Sequence, residues 1–81
     1  MGLTMTAISQ HERVILTRTK RDERLESGDV GTVVHVYSDG LAYEVEFTTL
    51  DGRTAAVVTV EASDVRPVSG HDITHARTLA S

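Results

Sequence analysis

The chain reads as all-β: five short strands that curl into one small barrel, with disordered N- and C-terminal tails. Three observations carry that reading. In Tyr43-Glu44-Val45-Glu46-Phe47 apolar and acidic residues alternate strictly, the period of a strand with one face in a core and one in solvent. Asp39-Gly40 and Asp51-Gly52 flank that strand, and Asp-Gly tolerates the left-handed conformations of tight hairpin turns. Ahead of them, Gly28-Asp29-Val30-Gly31 leads into the β-branched run Thr32-Val33-Val34, a turn entering a strand.

Taken in order, residues 1–10 are small and polar without a sustained apolar period and read as a flexible tail. Arg13 to Thr17 is a first strand, its run Val14-Ile15-Leu16 too short for a helix, expected to pair with the last strand. Arg18 to Glu26 is a charged excursion whose one apolar residue, Leu25, is expected to tuck back onto the core. Gly28 and Gly31 then allow a sharp turn or a positive φ. Val33, Val34 and Val36 do not keep a period of two, which predicts a bulge or strong coiling and leaves open which of them face the core. Ala42–Thr48 is the third strand, with Tyr43, Val45 and Phe47 inward. Thr54–Val60 is the fourth, with Val58 and Val60 inward. Glu61 to Asp64 reads as one helical turn and Val65-Arg66-Pro67 as a last strand, where proline is acceptable at an edge or end. The barrel therefore spans residues 11–68, and 69–81 read as a flexible C-terminal tail, sparse in apolar residues.

A chain of 81 residues is one domain, and at this size it buries only roughly 60% of the surface it exposes when unfolded. With no cysteine, neither a disulfide nor a thiolate metal site reinforces it. No stretch reaches the length of a membrane span or of a signal peptide, so a cytoplasmic protein is expected. The formal charge of −4 counts against a dedicated nucleic-acid binder. Its distribution is lopsided: Arg13, Arg18, Lys20, Arg21 and Arg24 stand near the front, and acidic residues dominate from Leu25 to Val68.

Five strands, a long loop after the first, two tight hairpins and a helical turn before the last describe an SH3-like barrel. Gly28-Asp29-Val30-Gly31-Thr32-Val33-Val34-His35-Val36-Tyr37, Ala42-Tyr43-Glu44-Val45-Glu46-Phe47 and Val57 to Pro67 together resemble a family of small bacterial proteins, domain of unknown function 4926. That resemblance covers about Glu12 to Val68 and implies a bacterial origin and a compact barrel, with no activity and no functional residues to transfer. Gly31, Val33 and Val36 are also similar to the KOW motif of ribosomal and transcription-elongation proteins, though the basic residues that accompany nucleic-acid binding are missing downstream.

Candidate chemistry is sparse. His71 and His75 would share a face if the tail were helical, but two ligands fall short of a zinc site, and no metal or other cofactor is expected. Ser27, Ser38 and Ser63 lie in turn contexts where serine serves the backbone, so no catalytic triad is argued and no enzyme is expected. Three aromatics, two of them wanted inside, build neither a proline-peptide groove nor a methyl-lysine cage. The expectation is a non-catalytic protein-interaction module, monomeric or weakly self-associating, that binds a protein, favoured to be acidic, through Arg18, Lys20, Arg21 and Arg24. The alternative is a nucleic-acid or ribosome-associated barrel using the same loop. Phe47→Ala should cost about 3–5 kcal/mol, enough to unfold a small domain. An unchanged melting temperature would mean that the faces of the third strand are reversed.

Overall fold

The computed structural model describes residues 8–79. The expectations for residues 1–7 and 80–81 lie outside the described residues. Five strands form one antiparallel sheet: β1 (Arg13–Leu16), β2 (Val30–Val36), β3 (Ala42–Thr48), β4 (Thr54–Glu61) and β5 (Val65–Pro67). Their order is β4-β3-β2-β1-β5, so β1 pairs with the last strand as its sequence suggested, and β4 is the opposite edge. The two hairpin glycines, Gly40 and Gly52, have φ of 71° and 90°, the conformation for which Asp-Gly was read.

The core lies on one face of the sheet. Val14 and Leu16 of β1, Val33 of β2, Tyr43, Val45 and Phe47 of β3, Val60 of β4 and Val65 of β5 are buried together, with Leu25 added from the loop. Ile8, Val36, Val58 and Ala62 are half-buried against this cluster. Ile8 thus belongs to the packed domain, although the sequence reading placed residues up to 10 in the tail. Ser9 and Glu12 close a turn behind it, the Ser9 N–H donating to Glu12 Oε1 at 2.9 Å.

The irregular valines of β2 have a geometric reason. Val33 pairs with Val45 and His35 with Glu44, so Val34 is an extra residue bulged out of the ladder. The bulge resets the alternation, and both Val33 and Val36 serve the core although they are three apart. A second bulge, at Ala55, lies between the Phe47–Ala56 and Thr48–Thr54 pairs.

Gly28 and Gly31 have different roles. Gly28 turns the chain with φ of 100°. Gly31 is absent from the positive-φ residues and is needed for space instead: a Cβ there would lie 2.5 Å from Val45 Cγ1 and 3.0 Å from both the Glu46 carbonyl and Phe47 Cδ1. It pairs with Val14 on one side and Phe47 on the other, at the centre of the sheet.

The segment from 69 to 79 carries no helix or strand. It nevertheless runs against the sheet, with Ile73 and His75 lining the same groove as Ile15. Among the described residues no helix is long and apolar enough to cross a membrane. Gly31→Val should cost about 1–3 kcal/mol through overpacking against Val45 and Phe47, read as a lower urea midpoint, and a midpoint equal to wild type would contradict the close approach.

Candidate functional site

The loop between β1 and β2 is built more tightly than its charge suggests. Lys20 and Leu25 face each other in an isolated antiparallel bridge, each backbone N–H donating to the other's carbonyl, at 2.8 and 3.1 Å. Inside it, Arg21–Glu23 forms a single 3-10 turn, which Arg24 ends in the left-handed conformation at φ 59°. Leu25 is buried, so the loop is pinned to the core by the one apolar side chain it carries. Behind it the Gly28 N–H donates to the Leu16 carbonyl and the Leu16 N–H to the Asp29 carbonyl, at 2.7 and 2.9 Å, fastening the loop's exit to β1.

The four basic residues expected to form a binding surface are placed unequally. Lys20 turns inward: its Nζ lies 2.9 Å from Oδ2 of Asp64, a buried carboxylate in the single 3-10 turn before β5. Arg18 sends its Nε to 3.6 Å from Asp64 Oδ1 while remaining 74% exposed. Arg21 and Arg24 are exposed. Lys20 is therefore an internal brace, and Arg18, Arg21 and Arg24 carry the outward positive charge. The Thr17 N–H donates to the Asp64 backbone carbonyl at 2.8 Å, so this residue ties the loop's start to β5 through both backbone and side chain.

The acidic side of the same loop holds a site the sequence reading missed. Asp29, half-buried, accepts a bidentate fork from Arg77, with Nε to Oδ1 at 2.9 Å and Nη2 to Oδ2 at 2.7 Å. The same Nη2 donates to the Arg24 carbonyl at 2.9 Å, and Nη1 stands 3.7 Å from Glu26 Oε2. The Glu26 N–H donates to Asp29 Oδ2 at 2.8 Å, which orients the carboxylate from behind. His75 Nε2 lies 3.4 Å from Asp29 Oδ1, with its ring beside Gly28, where a Cβ would stand 3.4 Å from it. Farther back, Arg66 and Asp72 form a second fork at 2.7 and 3.2 Å, and the Ser69 N–H donates to Asp72 at 2.7 Å.

Partial burial pushes the Asp29 pKa up. The Arg77 hydrogen bond, the Glu26 N–H and the charges of Arg77 and His75 together outweigh it, and the pKa falls below the ordinary 3.8. The Arg66 fork, aided by the Ser69 N–H, pulls Asp72 down to about 2. On the outer face of the sheet Glu44 accepts from Thr59 Oγ1 at 2.6 Å and from the Tyr37 hydroxyl at 3.0 Å, and these two bonds lower its pKa. Glu46 accepts from Thr54. Both strand-face carboxylates are thus engaged with hydroxyl neighbours on the sheet.

Among the described residues no three histidine or acidic side chains converge as a metal set. The tail is not helical, so His71 and His75 do not share a helix face, and His75 sits beside Asp29 instead.

A five-strand antiparallel sheet, a braced loop and a docked C-terminal segment define a small all-β domain. The chain belongs to the family described as Domain of unknown function (DUF4926), whose model matches residues 10–67. No curated protein and no solved structure matches the chain.

The two forks give the tail a defined acid limit. A carboxylate with a depressed folded-state pKa binds its proton less readily folded than free, so its contribution is complete above 3.8 and is lost as pH falls toward the folded value. The Ser69 amide and Arg77 side-chain NMR shifts should hold from neutral pH to about 5 and reach free-chain values only near the acid end of that window. Release of the segment between neutral pH and about 5 would contradict the assigned pairs.

Proposed function

We propose that this chain is a non-catalytic protein-interaction module of the cytoplasm, its sheet curled as an SH3-like barrel, with the β1–β2 loop as its contact surface and an acidic protein as its partner. The observation that carries the reading is the bracing of the loop. The Lys20–Leu25 bridge, the buried Leu25 and the Lys20–Asp64 ion pair hold its backbone from within, while Arg18, Arg21 and Arg24 stay exposed. A charged surface already ordered loses less conformational entropy when a partner docks, and loops on a rigid sheet are where binding residues concentrate. Lys20 acts in this reading as support and not as a contact.

The alternative, a nucleic-acid or ribosome-associated barrel of the KOW type, uses the same arginines against phosphate. Asp22 and Glu23 interrupt the positive run and the net charge is −4, so an acidic protein patch fits the surface better than a continuous phosphate backbone.

Immobilised full-length protein should capture a partner from cells that make it, and Arg18→Glu/Arg21→Glu should weaken that capture about tenfold or more with an unchanged circular dichroism spectrum. Equal capture by the double variant overturns the reading. Recovery of RNA in place of protein, with affinity falling steeply as salt rises, transfers the loop to the alternative.

A further inference from the structure

The Arg77 site has the parts of a receptor for arginine. A guanidinium presents N–H donors in a fixed planar fork, and a site that reads it needs a carboxylate held edge-on with further acceptors around it. Asp29 supplies the carboxylate, the Arg24 carbonyl a further acceptor, and Glu26 a second negative charge at 3.7 Å. The Asp29 side chain is 12% exposed and is aimed by the Glu26 N–H, so the receptor half is set by the loop. Beside it an open groove of about 840 Å³ runs along the sheet, lined by Ile15, Val30 and Phe47 among others. The chain's own residues 72–79 line it too, without helix or strand. The tail is joined to the sheet by side chains: the contacts at Asp29 come from Arg77 and His75. Among the described residues no backbone hydrogen bond joins residues 73–79 to a strand.

We propose that the pocket formed by Asp29, Glu26 and the Arg24 carbonyl is a binding site for an arginine on an extended segment of another protein, occupied in this structure by the chain's own Arg77. The site takes the opposite charge from the arginine surface proposed above and does not rest on that reading. The tail competes with the incoming segment, and a partner gains access by displacing it. The apparent affinity of the partner is then reduced by the fraction of time the tail is docked. Arginine is preferred over lysine, because a point charge cannot bridge both carboxylate oxygens and the Arg24 carbonyl with one rigid group.

The probe is a fluorescent peptide with the sequence of residues 71–79. Full-length Arg77→Ala should bind it at least tenfold more tightly than wild type. Replacing the peptide's arginine by alanine should abolish binding, and replacing it by lysine should weaken it severalfold. Asp29→Asn in the Arg77→Ala chain should remove it as well. As a check that needs no protein variant, millimolar wild-type peptide should shift the amide signals of residues 24–29 in the wild-type chain, and the alanine peptide should not. Equal binding of the arginine and alanine peptides, or no binding by a folded Arg77→Ala chain, overturns the proposal. Concentration-dependent dimerisation of wild type that Arg77→Ala abolishes also overturns it, because the occupant would then be the tail of a second copy.

Discussion

A missing side chain at Gly31 sets the geometry on which the rest of the molecule depends. β2 is the strand shared by β1 and β3, and at this one position it pairs with Val14 on one side and Phe47 on the other while passing within contact of Val45. Any Cβ there would push β2 off the residues that make up the centre of the core. The consequences reach beyond packing. Gly28 and Asp29 stand just before β2 and are hydrogen-bonded to Leu16 of β1, so the position of β2 fixes where the Asp29 carboxylate stands and what it meets. The arginine pocket is thus an extension of the sheet's register.

Two buried or half-buried carboxylates organise the charged groups around that frame. Asp64 draws in Lys20 and reaches Arg18, and Asp29 draws in Arg77. Each joins segments far apart in sequence, the loop to the turn before β5 and the loop to the C-terminal segment. A carboxylate removed from water needs such partners, since burying it alone costs more than any packing it permits. The loop's net positive charge is therefore less available than its composition implies, because one of its cations serves the interior.

Most of the sheet was legible in the residues. The Tyr43-Glu44-Val45-Glu46-Phe47 alternation placed β3 and its faces, the Asp-Gly pairs placed both hairpins, and Leu25 was read correctly as the loop's anchor. The faces of Val33 and Val36 could not be read, because a single bulged residue changes the parity of everything after it and leaves no composition signal. Nor did the sequence reading separate Lys20 from its basic neighbours, since the partner lies 44 positions away and pairing at that range depends on the fold. The docked tail has a counterpart in β1. Val14, Ile15 and Leu16 are apolar in succession and all three are buried, so the middle one needs cover on the face opposite the core. Ile15 lines the groove that residues 72–79 also line, and a tail read only for its own apolar content could not reveal that.

The outer edge of β4 carries a different kind of consequence. From Thr54 to Val60 the strand has no charge and no proline, is rich in β-branched residues, and has Val57 half exposed. Its Ala56, Val58 and Val60 pair inward with β3, leaving the intervening peptide groups of Val57 and Thr59 directed away from the sheet. Such an edge is a template for stacking identical chains into a cross-β ladder. Arg53 and Glu61 stand at its two ends as charged gatekeepers, and the Ala55 bulge twists its first turn of ladder out of line. Charge at Arg53 and Glu61 and the irregular pairing at Ala55 therefore oppose the stacking of identical chains along this edge in concentrated solution.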